Sequence, residues 1–232
     1  DLEAGASDGV AVAWRELRAD DLPSLRLLDL RTGTATSYDG HTNNVTAVGF
    51  QRDGRWLYTG SEDGTARIWD VRREAASHVV NPYAATSVEM RVEETTDGNV
   101  SRPAVARRGD ERRWVGCVAL DGAENWCAMG SGGGVVTMWS FAAGACASRV
   151  TAGRGTAMQA VKLTGEHVVA AGSEPHVFRW NLAGKLISRQ PCGPASVFAL
   201  DAARAMTAVG GAGATVEIFS ALGTKVATAK CA

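Results

Sequence analysis

The chain has 232 residues, 45% of them hydrophobic, and its 24 Lys and Arg against 25 Asp and Glu leave a formal net charge of -1. That length suits one large all-β domain or two small ones, and the even charge balance excludes a surface that binds nucleic acid strongly through its own basic excess. No apolar run approaches about 18 residues and no signal-peptide core is present, which excludes a helical membrane span.

Near the start, SDGVAVAW alternates with period 2 and ends on Trp14, and it reads as the third strand of a repeat. Leu28-Asp29 reads as the end of another third strand. Only 14 residues separate Trp14 from Leu28, where a repeat needs about 40. Residues are therefore expected to be missing near 18–25, and the chain is expected to begin inside a repeat. The next segment, Gly40 to Asp70, reads GHTNNVTAVGFQRDGRWLYTGSEDGTARIWD. It divides into strands Val45–Phe50, Trp56–Ser61 and Ala66–Val71, with a weaker fourth at Ser77–Val80. Asn81 to Arg113 is polar, charged and without strand rhythm, too long for a hairpin loop, and is read as an insertion over 81–113. Alternation resumes in Trp114–Leu120, Trp126–Ser131, Val135–Phe141 and Cys146–Thr151. It continues in Ala157–Leu163, His167–Ser173, His176–Leu182 and Leu186–Gln190. A last set is Val197–Asp201, Ala205–Gly210, Thr215–Ser220 and Lys225–Lys230. Turn residues such as Asp53-Gly54, Asp63-Gly64, Asp121-Gly122 and Ala183-Gly184 separate them, as tight hairpins require. No segment holds a 3.6-residue period, so little helix is expected.

The third-strand ends recur as Leu28-Asp29, Trp69-Asp70, Trp139-Ser140, Trp180-Asn181 and Phe219-Ser220, spaced 41, 70, 41 and 39 residues apart. The 70-residue gap is one repeat plus the insertion. A Gly-His, alternating strands and then Trp-Asp is the signature of a WD40 propeller blade. One four-stranded blade cannot bury both faces alone, so the expected fold is an all-β WD40 propeller, a single domain over 1–232 and seven-bladed in the full protein.

His41, Thr59, Asp63 and Trp69 fit the structural tetrad of such a blade, with Ser61 as the second choice for the hydroxyl. The indole donates to the hydroxyl, the hydroxyl bonds the imidazole, and the imidazole bonds the turn carboxylate. The set resembles a hydrolase triad only in composition, since no G-x-S-x-G elbow accompanies it. Gly130-Ser131-Gly132-Gly133-Gly134 lacks the Lys and helix of a phosphate loop and reads as a hairpin. His78, His167 and His176 have no metal-ligand spacing, so neither metal nor cofactor is expected, and the protein reads as non-catalytic. The five cysteines (Cys117, Cys127, Cys146, Cys192 and Cys231) show no C-x-x-C pattern and read as reduced thiols of a nuclear or cytosolic protein. Within the insertion, Arg102, Arg107, Arg108, Arg112 and Arg113 form a cluster diluted by Asp110 and Glu111. It reads either as a solvated loop or as a partner-binding loop, with RNA phosphate the lesser choice.

Two family resemblances follow. Trp69-Asp70 with Arg72 is similar to the Trp-Asp-x-Arg box of substrate receptors of cullin-RING ubiquitin ligases, which implies Asp70 and Arg72 as adaptor contacts. The stretches VALDGAENWCAMGSGGGVVTMWSFAAG, VVAAGSEPHVFRWNLAGKLISRQPCGPASVFAL and AVGGAGATVEIFSALGTK resemble blades of the THO complex subunit 6 family. So do Trp-Ser and Trp-Asn in place of Trp-Asp, and the SRP…RRWVGCVALD entry after the insertion. This second resemblance implies a nuclear scaffold of the THO/TREX assembly, which couples transcription and messenger-RNA processing to mRNA export. It further implies protein–protein contacts with large helical subunits, little direct RNA binding, and support for oligomerisation of the complex.

Overall fold

A computed structural model describes residues 9–14, 24–51, 54–73, 75–83, 113–123, 125–153, 156–165, 167–203, 206–221 and 223–230. Every regular element among them is a strand. The first sheet has three strands, β1 (Gly9–Trp14), β2 (Ser24–Asp29) and β3 (Ala35–Tyr38). The second has β4 (Val45–Phe50), β5 (Trp56–Ser61), β6 (Ala66–Asp70) and β7 (Ala75–Val80). The third has β8 (Val115–Leu120), β9 (Trp126–Ser131), β10 (Val135–Ser140) and β11 (Ala145–Thr151). The fourth has β12 (Met158–Thr164), β13 (His167–Gly172), β14 (His176–Asn181) and β15 (Leu186–Pro191). The fifth has β16 (Val197–Ala203), β17 (Met206–Gly211), β18 (Thr215–Ser220) and β19 (Lys225–Lys230). All pairings are antiparallel between consecutive strands, so each four-stranded sheet is a simple meander. The chain is a WD40 β-propeller in fold.

The sheets stack in sequence order. β1 packs on β4, β4 and β5 on β8, β8 and β9 on β12, and β12 and β13 on β16. Each seam buries side chains from one face of each neighbour, the alternation that period-2 strands impose. Leu25, Tyr38, Leu57 and Trp69 fill the first seam. Ile68, Val80, Val115, Val118 and Met129 fill the second, Val136, Met138, Met158, Val168 and Trp180 the third, and Val177, Val197, Val209 and Phe219 the fourth.

Two bulges repeat in register. In the first strand of sheets two to five one residue is left unpaired: Thr46, Gly116, Gln159 and Phe198. The Thr46 hydroxyl donates to the Val115 carbonyl of the next sheet, and a Cβ at Gly116 would lie 2.6 Å from the Met158 carbonyl oxygen. In the fourth strand the bulge sets His78, Ser148, Ser188 and Ala227 opposite Ile68, Met138, Arg179 and Ile218. This position reaches the third-to-fourth-strand turn of the next sheet. The His78 ring meets Phe141 edge-on at 5.3 Å, the Ser148 hydroxyl donates to the Leu182 carbonyl at 2.7 Å, and Ser188 Oγ lies 3.1 Å from a Cβ placed on Gly223.

One repeat mark needs correction. Trp14 and Leu28 do not occupy equivalent places in two blades. β1 and β2 are neighbours in the same sheet, with Val10 opposite Leu28 and Trp14 opposite Ser24. The alternation of SDGVAVAW is shared by every strand of a blade, and a separation of 14 residues fits one hairpin step. Of the expected gap near 18–25, residues 18–23 lie outside the described residues, while Ser24 and Leu25 belong to β2.

Candidate functional site

Alternation of the meander puts the β5–β6 turn and the approach to β4 at one end of the second sheet. The β4–β5 and β6–β7 turns lie at the other. Main-chain bonds fix both groupings: Glu62 N–H donates to Asn44 O at 2.9 Å, and Val71 N–H donates to Arg55 O at 3.0 Å.

His41 and Asp63 come from the first end, Thr59 from β5 and Trp69 from the end of β6. The Trp69 indole N–H donates to Thr59 Oγ1 at 3.0 Å. Thr59 Oγ1 and His41 Nε2 are 2.7 Å apart, and His41 Nδ1 lies 2.8 Å from Asp63 Oδ2. The ionised Asp63 carboxylate can only accept, so Nδ1–H donates to it, and Nε2 of the neutral imidazole accepts the Thr59 hydroxyl hydrogen while the Thr59 oxygen accepts from Trp69. Trp69 and Thr59 are wholly buried and His41 is 2% exposed, so this hydroxyl is closed off from solvent. Burial lowers the His41 pKa and outweighs the opposing pull of Asp63, while the Arg67 charge adds to the lowering. Burial pushes Asp63 upward, but hydrogen bonds from Thr65, His41 and Thr42 prevail and hold its carboxyl below the usual range. Ser61 stands outside this relay, because its hydroxyl donates to Asn43 O at 3.0 Å and accepts from Asp63 N–H at 3.0 Å.

In the other four-stranded sheets the Thr59 place, two residues on from the one opposite the third-strand mark, is taken by Met129, Ala170 and Val209, all buried. The Trp139 indole nitrogen, without a hydroxyl there, has no hydrogen-bond partner among the described residues.

Asp70 and Arg72 are placed differently from each other. Asp70 is buried, and its Oδ1 accepts the Arg72 backbone N–H at 3.0 Å. Arg72 is exposed. The same capping role falls to Asp29, Ser140, Asn181 and Ser220, each bonded to a backbone N–H of the following turn. Asp70 thus closes its turn as its equivalents do, and only Arg72 faces solvent.

Arg102, Arg107, Arg108 and Arg112 lie outside the described residues, as does most of the insertion. Its two ends are described and meet. The Arg113 guanidinium sits 5.4 Å over the Tyr83 ring, while Thr137 Oγ1 and Arg149 Nη2 both donate to the Pro82 carbonyl. Gly132 N–H donates to Trp114 O at 3.0 Å, which roots the insertion at the same end as His41 and Asp63.

Cys117, Cys127, Cys146 and Cys192 are free thiols, and Cys231 lies outside the described residues. Burial pushes Cys117 up to about 12 and Cys192 up to about 11, so neither ionises near neutrality. Among the described residues no group of three or more His, Cys, Asp or Glu is arranged to hold a metal ion. The sequence reading missed the inter-sheet contacts at the two bulges; the spacing of the bulge positions from the third-strand mark differs between sheets two and three and sheets four and five, so no fixed offset points to them.

Residues 33–70 match the WD domain, G-beta repeat. The chain is 28% identical over 193 residues to THO complex subunit 6 of Arabidopsis thaliana, covering 83% of this chain and 45% of that protein. It is 46% identical over 68 residues to target of rapamycin complex subunit LST8-1 of Arabidopsis thaliana, covering 28% of this chain and 22% of that one. The chain therefore spans less than half the length of either relative. A chain of a crystal structure of the mitotic checkpoint complex superposes with a TM-score of 0.71 at 16% identity, covering 96% of this chain and 60% of that chain; this likeness concerns the fold alone.

Proposed function

We propose that this chain is a non-catalytic scaffold subunit of a nuclear THO/TREX assembly. In this role it contributes protein–protein contacts while transcription and messenger-RNA processing are coupled to export. The observation that carries the reading is the similarity to THO complex subunit 6, which runs through most of the chain rather than through one repeat. The buried relay supports it too, because a His, Thr and Asp that a hydrolase would expose are spent here on holding a sheet together. The partners proposed are large helical subunits of the assembly. Contact with RNA is weak, in keeping with a net charge of -1.

Affinity purification of the tagged protein from nuclear extract, followed by mass spectrometry, tests the reading. THO subunits are the expected company. The second reading, a substrate receptor of a cullin-RING ligase, draws on the exposed Arg72 at the end opposite the insertion. Recovery of a cullin adaptor without THO subunits would favour it, and Arg72→Ala would then abolish the adaptor contact in a folded protein.

A further inference from the structure

The fourth seam, between the fourth and fifth sheets, departs from the two before it at three matched places. The residue just ahead of the third-strand mark is Ile68 in the second sheet and Met138 in the third, both buried, but Arg179 in the fourth. The facing place on the next sheet, opposite that sheet's own mark, is Cys127 and then Val168, but Thr207 in the fourth seam. On the fourth strand the buried Val80 and Val150 give way to a half-buried Gln190. One seam is thus polar where its predecessors are apolar.

Arg179 is 7% exposed, and its Nη2 donates to Thr207 Oγ1 at 3.0 Å. Among the described residues no carboxylate lies within ion-pair distance of it. The two acids of the fifth sheet are taken elsewhere: Asp201 by Lys162 at 2.9 Å, and Glu217 by Lys225 at 3.0 Å and the Gly193 N–H at 2.9 Å. Glu174, in the β13–β14 turn, is held by Thr156 and Arg189 at the other end of the sheet. Burying a charge without a counter-ion is costly, so a guanidinium in this place calls for an anion.

Further donors surround it. Thr207 accepts from Arg179, which leaves its own hydroxyl hydrogen to donate. Ser188 stands directly opposite Arg179 on the ladder, where side chains of one face lie about 5 Å apart. Ser188 Oγ and Gln190 Nε2 converge on Gly223, at 3.1 and 3.3 Å from a Cβ placed there. In the third seam Ser148 spends its hydroxyl on Leu182 O at 2.7 Å; among the described residues Ser188 meets no such carbonyl.

We infer that Arg179, Ser188, Thr207 and Gln190 form a site for one oxyanion of the phosphate class between the fourth and fifth sheets. The guanidinium supplies charge and a planar fork of donors, and the hydroxyls and amide supply neutral ones from other directions. An anion there neutralises Arg179 and ties two sheets together, so its binding stabilises the fold. A free ion and the phosphoryl group of a phosphorylated side chain offer the same oxygens. The inference goes beyond the scaffold reading, and either can fail alone.

Heteronuclear NMR titration of the isotope-labelled chain tests it, with inorganic phosphate and N-acetylphosphoserine amide as separate probes. Sodium chloride at matched ionic strength and pH is the control. Inorganic phosphate should shift the Ser188, Thr207 and Gly223 amides and saturate below ~10 mM, and it should raise the melting temperature. Arg179→Met, which restores the side chain of the third sheet, should bind at least about tenfold more weakly, as loss of a charged donor implies, and its melt should not respond. Ser188→Ala, which copies Ala227 of the fifth sheet, should weaken binding several-fold, and it decides the matter should the first variant not fold. Saturation by the phosphoserine amide assigns the oxygens to a phosphorylated residue, and saturation by inorganic phosphate alone assigns them to a free ion. Shifts that chloride reproduces, binding unchanged in a folded variant, or no saturation with either probe would each overturn the inference.

Discussion

Thr59 is a buried hydroxyl that serves two partners, and that places the weight of the second sheet on a few bonds. Its oxygen accepts from Trp69 and its hydrogen goes to His41, which passes its own to Asp63. Removing the carboxylate leaves the His41 Nδ1–H without its acceptor. Asp63→Ala should therefore destabilise the fold by about 1–3 kcal/mol, the usual cost of orphaning a buried polar group; an unchanged thermal melt would refute the relay's importance. The protonation sign follows from burial. Burial holds the folded His41 pKa below the ordinary imidazole value of 6.5, so on acidification the unfolded chain takes up its proton first. Stability from this group is present above about 6.5 and is lost as pH falls through that value toward the lower folded pKa. The depressed Asp63 carboxyl adds a loss of the same sign as pH falls below the ordinary carboxylate value of 3.8. The melting temperature should fall between pH 7.5 and 5, and more steeply in the unsubstituted protein than in His41→Gln, which has no imidazole to protonate.

Strands with one covered face were legible by a period of 2, as in Val45–Phe50 and Ala145–Thr151, while Trp126–Ser131 and His167–Gly172, buried along nearly their whole length, were legible as short apolar runs between turn residues. The relay was legible for a different reason: Gly-His and Trp-Asp stand at the two ends of one repeat and Thr59 lies between them. Trp14 was misplaced because alternation marks a strand without saying which strand of the sheet it is. The seam contacts of Ser148 and Ser188 were invisible in sequence, since they depend on a neighbouring sheet being in place and on a bulge that turns the residue toward it. The insertion belongs to this scale as well. Its ends are clamped by Arg113 over Tyr83 and by Thr137 and Arg149 on the Pro82 carbonyl, so the chain leaves and returns at one point. Loop closure depends only weakly on length. Deleting residues 84–108 should leave the fold intact, with a melting temperature shifted by no more than about 4 °C, equivalent to less than roughly 1 kcal/mol. Loss of folding in this deletion would mean that the insertion supplies part of a seam.

Across the molecule, each sheet packs on its sequence neighbours, so stability is a sum of local terms and seams, as in other repeat architectures. The seams are unequal. The third and fourth sheets are covered on both sides, and Cys127, Ala128, Val168, Val169, Ala170 and Ala171 of their second strands are fully buried. Among the described residues the fifth sheet packs on the fourth, and all six residues of β19 are exposed. Local opening follows burial, so native-state hydrogen exchange should rank the sheets. Amides of β9, β10, β13 and β14 should exchange slowest and those of β19 fastest among the four-stranded sheets. A ring held equally at every seam would instead give uniform protection, and that outcome would contradict the neighbour-by-neighbour account.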